Sequence, residues 1–310
     1  MTTAAIHTRP DELLQQLIRF NTTNPPGHEA ECVNYINTLL TEAGFETTIL
    51  AKDDKRPNLI ARLLGRGEAP PLLLQGHVDV VTTANQEWSR PPFEAEIHDG
   101  FIWGRGTLDM KGGVAMMITA LLRAQANGLQ PAGDIILCIL SDEEVGGSYG
   151  AKFLVEEHPE QFEGVKYALG EFGGYNQLMA GKKFYPIQVA EKQICSMQAT
   201  IRGAGGHGSF LNQGGTMAQL GRFLTTLDQN KLPVHILPVV REMFTRVAQK
   251  ASFPQSFIIR QLLNPAMHDR FISLLGDSAN TIGSLFRNTI NATIVNGGNK
   301  INVIPSEIVV

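Results

Sequence analysis

Cysteines and long apolar runs are both scarce in this chain of 310 residues. No stretch is long and apolar enough to span a bilayer, and the N-terminal segment lacks the apolar core of a secretory signal peptide. The three cysteines, Cys32, Cys138 and Cys195, form no metal-type cluster, and their odd number argues against a disulfide framework. We therefore expect a reduced, cytoplasmic protein with no membrane partner.

An excess of positive charge is also missing. Lys and Arg number 26 against 30 Asp and Glu, which gives a formal net charge of −4. Nucleic-acid-binding proteins need basic surface, so this balance argues against a nucleic-acid partner. What the sequence does contain is an ordinary globular composition, 43% hydrophobic and 18% charged. Such a chain can build a sizeable core, and its length favours two domains.

The pattern of apolar residues predicts an α/β domain over residues 1–192. Helical periodicity is found at 11–20, 29–42, 111–128 and near 149–158. Short β-like runs lie at 45–50, 57–65, 71–80, 134–140 and 165–170. Strands that alternate with helices imply a central β-sheet flanked by helices.

Residues 193–310 predict a second, smaller α+β domain. Residues 195–203 alternate like a half-exposed strand, and 214–227 resemble a helix. The segment from Arg287 onward predicts a hairpin that turns at Gly297-Gly298, followed by the start of another strand.

Histidine or acidic residues follow apolar runs at four points of the first domain. They are His77 with Asp79, Asp109, Glu143 with Glu144, and Glu171. In an open α/β sheet, ligands bind at the edge where the carboxyl ends of the strands meet, so these side chains can converge. His77 and Asp79 are two residues apart and face the same side of an extended chain, so one can bind a metal while the other orients it.

The three adjacent carboxylates of Asp142, Glu143 and Glu144 follow the apolar run directly. Like charges next to buried surface are costly unless a cation neutralises them. Any one such feature is more often a solvated loop or a satisfied core histidine. Four of them after apolar runs favour a shared metal, and one imidazole with several carboxylates suits zinc, with cobalt or manganese as substitutes.

These residues stand in segments that resemble a known zinc metallopeptidase family. The shared segments are GHVDVV, GFIWGRGTLDMKGG, SDEEVGGSYGA, GGHGS and NVIP. The family includes acetylornithine deacetylase, succinyl-diaminopimelate desuccinylase, aminoacylase-1 and the glutamate and Gly-Xaa carboxypeptidases. The resemblance implies a zinc-peptidase catalytic domain with a lid or dimerisation domain, and hydrolysis of an amide bond in a small peptide or N-acyl amino acid.

The resemblance also implies two zinc ions in each active site. Asp109 would bridge the two metals, His77 and Glu171 would complete one site, and Glu144 would serve the other. Asp79 would orient His77.

The same resemblance implies the residues that act on the substrate. Glu143 would be the general base that takes a proton from water and later protonates the leaving amine. His207, in the lid, would stabilise the oxyanion in the active site of a homodimer partner. Asn302 would contact the substrate.

Two other interpretations stay open. Residues 203–208 fit G-x-G-x-x-G with Asp228 twenty residues on, as in a nucleotide-binding module, although the predicted helix begins only near Thr216, too late to cradle a pyrophosphate. The other is a truncated, inactive homologue, because relatives continue beyond NVIPSEIVV and supply a second metal-binding histidine. On that expectation the lid is incomplete, and the chain binds at most one metal tightly and hydrolyses poorly.

Overall fold

A five-stranded mixed sheet organises the first part of the protein. The computed structural model describes residues 6–172, 176–276 and 278–310. The elements of the first part are, in chain order, α1 (Pro10–Arg19), α2 (Ala30–Glu42), β1 (Glu46–Leu50), β2 (Asn58–Leu63), β3 (Leu72–His77), β4 (Glu96–His98), β5 (Phe101–Trp103), α3 (Lys111–Ala126), β6 (Ile135–Leu140), α4 (Ala151–Glu157) and β7 (Tyr167–Leu169). The four helices predicted from the sequence are confirmed to within two residues at each end.

The order of the strands brings three carboxyl ends to one edge of the sheet. The order is β1-β2-β6-β3-β7, with β1 and β2 antiparallel to each other and β2 antiparallel to β6. Strand β3 is parallel to both of its neighbours, β6 and β7. The carboxyl ends of β6, β3 and β7 therefore lie side by side, as the sequence predicted for an α/β sheet.

Alternation along the central strands places apolar side chains on both faces of the sheet. On one face, helices α1, α2 and α3 share a core with Leu59, Ala61, Leu63, Leu137 and Ile139. On the other face, α4 shares a core with Ile60, Ile136, Cys138 and Leu140. A sheet covered on both sides needs strands that are apolar at nearly every position, which explains the continuous apolar run 135–140.

Lys111 ties the start of α3 to the end of α1. Its side chain is fully buried, and its Nζ donates hydrogen bonds to the carbonyls of Leu17 at 3.0 Å and Phe20 at 2.8 Å. Carbonyls in the last turn of a helix have no N–H partner four residues on in the helix, and they carry partial negative charge. The contact ties the first residue of α3 to the end of α1, and Asp109 lies two residues earlier in the chain.

The second part of the chain is made of short strands and helices. Its elements are β8 (Gln177–Met179), β9 (Lys182–Phe184), β10 (Thr200–Arg202), β11 (Gly206–His207), α5 (Thr216–Gln229), α6 (Pro238–Lys250), α7 (Gln255–Leu262), α8 (His268–Ile272), α9 (Ser278–Gly283), β12 (Asn296–Gly297), β13 (Val303–Ile304) and β14 (Glu307–Val309). The two compact units are Met1–Gly173 and Gly174–Val310, so the boundary predicted after residue 192 falls within the second unit. In the described part of the chain, no helix is both long and apolar enough to cross a membrane.

The hairpin predicted at Gly297-Gly298 is wrong in its pairing. Strand β12 pairs with β14, whereas β13, which lies between them in sequence, pairs with β11 instead. The residues at 288–295 that were expected to form the first hairpin strand have no regular structure. The alternation of apolar and polar residues did not indicate that Val303–Ile304 pairs with the glycine-rich segment at 206–207.

Candidate metal centre

Three parallel strands deliver most of the predicted side chains to one edge of the sheet. Strand β3 ends at His77, β6 is followed by the acidic trio, and β7 ends two residues before Glu171. Asp109 arrives differently from the prediction, because the strand before it, β5, pairs with β4 in a separate two-stranded sheet. Asp109 reaches the site from the residues that lead into α3. All of the predicted first-domain site residues meet here.

His77 is the buried centre of the group. Its Nδ1 donates a hydrogen bond to the backbone carbonyl of Asp79 at 2.9 Å, and the Asp79 carboxylate lies 3.4 Å from the same nitrogen. A carbonyl oxygen only accepts hydrogen bonds, so Nδ1 carries a proton, and Nε2 faces the carboxylates. Burial by itself lowers the pKa of His77, but the hydrogen bond and charge of Asp79 and the charge of Glu143 outweigh burial and raise this pKa to about 9.

Besides Asp79, four carboxylates lie around the imidazole. The Nε2 atom of His77 is 3.0 Å from Asp109 and 3.8 Å from both Glu143 and Glu171. The donor atoms form two groups, each with all of its atoms within 4.8 Å of one another: His77 with Glu143 and Glu171, and His77 with Asp109 and Glu144. Each glutamate of the acidic pair therefore belongs to a donor group that includes His77, and the division of the pair into ligand and base stays a prediction.

The carboxylates make each other harder to ionise. Burial and then the charge of Asp109 raise the pKa of Glu144 to about 7, and the same two causes raise the pKa of Glu171. A divalent cation among these groups would remove the repulsion and favour their ionised forms. The donor set therefore fits a metal ion with a preference for nitrogen and oxygen ligands, such as zinc.

The turn that carries Glu143 and Glu144 is held by the carboxylate of Asp79. The backbone N–H groups of Glu143 and Glu144 each donate to this carboxylate at 3.1 Å. The turn begins at Asp142 in a left-handed conformation, with φ 67°, and it closes through Gly146, with φ 96°, where glycine is the residue best suited to positive φ. Asp79 thus contacts both the imidazole of His77 and the acidic turn.

Four further polar side chains are buried next to Asp79 or linked to it through one another. No functional role is predicted for them from the sequence: Asn24, Glu29, Arg56 and Asp142. Asn24 lies in the segment FNTTNPPG, and Asp142 opens the acidic trio, so both stood beside recognisable motifs. Glu29 and Arg56 gave no comparable signal, because their pairing depends on contacts between distant parts of the chain.

The two site residues predicted in the second unit lie next to each other there. Strand β11 pairs with β13, which sets His207 opposite Val303, and Gly208 N–H donates to the Asn302 carbonyl at 2.8 Å. The His207 Nδ1 lies 2.7 Å from Ser209 Oγ, and both His207 and Asn302 are exposed. Their predicted roles toward the substrate stay predictions.

The glycine-rich loop at 203–208 lacks the geometry of a nucleotide cradle. It runs into β11, and α5 begins only at Thr216, so the helix N-terminus that would bind a pyrophosphate is displaced along the chain. Asp228, the acidic residue of the alternative, lies inside α5. The structure therefore disfavours the nucleotide-binding alternative.

Comparison with known proteins found a matching family model and several relatives. The model of peptidase family M20/M25/M40 matches residues 73–282. The chain is 32% identical over 249 residues to a probable carboxypeptidase S-like 2 of Dictyostelium discoideum, covering 76% of this chain and 46% of that protein. It is 38% identical over 148 residues to a succinyl-diaminopimelate desuccinylase of Wolbachia pipientis, covering 47% of this chain and 36% of that protein. The chain thus spans between a third and a half of the length of these relatives.

A solved structure shares the fold. The crystal structure of human carnosine dipeptidase 1 superposes with a TM-score of 0.62 at 17% identity, covering 99% of this chain and 70% of that chain.

Proposed function

The chain belongs to peptidase family M20/M25/M40, and from this premise we propose that it is a zinc-dependent hydrolase that cleaves an amide bond in a small peptide or an N-acyl amino acid. The observation that carries the proposal is one buried imidazole, His77, grouped with four candidate ligand carboxylates at the carboxyl ends of the parallel strands β3, β6 and β7. Carboxylates with raised pKa values at such an edge are typical of a functional site.

The residues that would hold the metal are His77, Asp109, Glu144 and Glu171. Their nitrogen and oxygen donors suit zinc, and cobalt or manganese would be accepted by the same set. When bound, the metal supplies Lewis-acid chemistry: it polarises a substrate carbonyl and makes water easier to deprotonate. By the resemblance, the site would hold two ions, and Asp109 would be a ligand of both.

The protein's own groups would carry the proton. Glu143 would accept a proton from the attacking water and deliver it to the amine that leaves, a role for which its half-exposed carboxylate is accessible. Asp79 would hold the orientation of His77 through the contacts to Nδ1. Asp79 would also hold Glu143 and Glu144 through their backbone N–H groups.

The second unit would act as a lid or dimerisation domain. His207 would stabilise the oxyanion of the substrate, in a partner's active site if the protein forms a homodimer, and Asn302 would contact the substrate. The names of the relatives, a carboxypeptidase, a desuccinylase and a dipeptidase, support a small substrate with an amide bond.

The test is metal content together with a substrate panel. Purified wild-type protein should contain zinc by elemental analysis and should hydrolyse members of a panel of dipeptides and N-acyl amino acids. The carboxamide analogue of each substrate serves as a matched control, and we expect the acids to be preferred. No zinc above the level of His77→Ala would contradict the proposal. Bound zinc without turnover would favour the inactive homologue.

A further inference from the structure

A continuous chain of buried polar side chains runs from the candidate metal centre into the interior of the first unit. We call Asn24, Glu29, Arg56 and Asp142 the supporting network. Each of its members is at most 7% exposed, so none can meet a substrate. A buried ionic network of this size is costly to desolvate, and it contributes to a single geometry only if every member is paired.

Asn24 joins two buried carboxylates. Its single amide nitrogen donates to Asp79 at 2.8 Å and to Asp142 at 3.1 Å. Two carboxylates this close to one donor repel each other unless positive charge lies near. The amide group alone supplies hydrogen bonds but no charge.

Arg56 supplies that charge. Its Nη2 lies 2.9 Å from Glu29 and 3.0 Å from Asp142, and its Nε donates to Glu29 at 3.3 Å. The guanidinium stacks over the ring of Tyr149, whose backbone N–H donates to Asp142 at 3.0 Å. A planar fork that binds two carboxylates at once is a property of arginine that lysine does not share.

The supporting network reaches the metal centre through two carboxylates, those of Asp79 and Asp142. Through Asp79, it contacts the imidazole of His77 and the backbone of Glu143 and Glu144. Its contacts to the Asp142 carboxylate hold that residue, which opens the acidic turn, in its left-handed conformation.

We propose that Arg56 and Asn24 are positioning residues, which fix the carboxylates of Asp79 and Asp142 and thereby set the geometry in which His77 and the acidic turn bind metal. This inference rests on the proposed metal-dependent function. It assigns the network to metal affinity and ligand orientation, since its members are too deeply buried to contact a substrate.

The test uses two substitutions and two readouts that do not depend on turnover. Arg56→Lys keeps the charge but loses the fork, and Asn24→Leu keeps a similar volume but loses both hydrogen bonds. Zinc affinity is measured by competition with a chromophoric chelator, and ligand geometry by the visible spectrum of the cobalt-substituted protein. We expect each variant to bind zinc about tenfold to a hundredfold more weakly, as is usual when partners of metal ligands are removed, with a changed cobalt spectrum.

A matched control separates positioning from general stability. Arg287 is 11% exposed in its side chain and pairs with Asp269 in the second unit, so Arg287→Lys makes the same chemical change in the unit that does not carry the metal ligands. It should leave zinc affinity and the cobalt spectrum unchanged. If Arg56→Lys does not fold, Asn24→Leu carries the test, because it leaves Arg56 paired with both of its carboxylates.

The outcomes distinguish this inference from the proposed function. Wild-type affinity and spectrum in Asn24→Leu would overturn the positioning role while leaving the metal centre intact. An equal loss in Arg287→Lys would also overturn it, because the effect would then be global. A wild-type protein that binds no more zinc than His77→Ala would instead contradict the proposed function itself.

Discussion

The two units of the protein support their candidate site residues in different ways. In the first unit, strands β2, β3 and β6 are each six residues long, and cores pack on both faces of their sheet. In the second unit, the strand that carries His207 is two residues long, as is the strand beside Asn302. A residue at the end of a long buried strand has its position fixed by packing, whereas one on a short exposed strand relies on a few hydrogen bonds.

The burial of the side chains follows the same division. His77 and Asp79 are at most 1% exposed, and both are held by several partners. His207 is exposed, and its side chain contacts Ser209 and the ring of Phe210. Metal binding needs several ligands held in place at once, so we expect it to depend on the first unit alone. Turnover should depend on both units.

The largest expected effect is on metal binding in the first unit. His77→Ala removes the only imidazole of both donor groups found among the described residues. If the ~10–16 kcal/mol of a four-ligand zinc site is shared equally, one ligand contributes about 3 kcal/mol, on the order of 10²-fold in affinity. Elemental analysis should show loss of zinc, and hydrolysis should fall with it. His207→Ala is the control, and loss of zinc there would break the division between the units.

The next effect separates two neighbouring glutamates within the acidic turn. Glu143→Gln should lower kcat by about 10²-fold or more, because proton transfer is lost, while zinc occupancy stays near wild type. Glu144→Gln should instead weaken zinc binding. The paired measurements are steady-state kinetics and zinc content for both variants. The reverse pattern would mean that the ligand and the base have been assigned the wrong way round.

A smaller effect is expected from the second unit. His207→Ala should lower kcat by about 10²-fold, the usual loss when one donor to an oxyanion is removed, with zinc content and zinc affinity unchanged. Asn302→Ala, directly before strand β13, should raise KM more than it lowers kcat if Asn302 contacts the substrate in its ground state. Wild-type kinetics in both variants would contradict the roles proposed for His207 and Asn302 in catalysis and substrate binding.

Much of the first unit could be predicted from sequence because its signals are local. The apolar run 135–140 fixed the position of β6, and the acidic trio after it marked the site. Strand order then brought Glu171 to the same edge. Asp109 was expected at a strand end of the main sheet, but it lies two residues before α3, whose first residue, Lys111, makes a buried contact with α1 that the sequence did not indicate.

The supporting network could not be predicted in this way. Arg56 and Glu29 are 27 residues apart, and Asn24 and Asp142 are 118 apart. The sequence does not distinguish a charged residue that the fold buries from one that is exposed to solvent. Only the structure therefore reveals which of these residues pair. The failed hairpin in the second unit has a related cause, since two-residue strands carry too little pattern to specify a partner.

The smallest effect concerns the cysteines, which report on the two units separately. Cys32 and Cys138 are buried in the first unit, and Cys195 is exposed in the second. Burial raises the pKa of Cys32 to about 11 and that of Cys138 to about 12, and the thiolate is the form that reacts. A thiol reagent at pH 8 should therefore modify one cysteine rapidly and two slowly. Cys195→Ser should abolish the rapid phase and change the free energy of unfolding by no more than about 0.5 kcal/mol.

The same thiols predict how stability depends on pH. Because their pKa values are raised in the folded protein, the native state holds these protons more tightly than the unfolded chain does. Their contribution to stability is complete below the ordinary thiol pKa of 9.0 and is lost as the pH rises toward about 11 for Cys32. The midpoint of thermal unfolding should therefore fall as the pH rises over this range. The fall should be smaller in Cys32→Ala, when each protein is compared with its own midpoint at pH 8. Rapid modification of all three cysteines at pH 8 would show that the first unit opens as readily as the second, which would contradict the rigid support inferred for the metal centre.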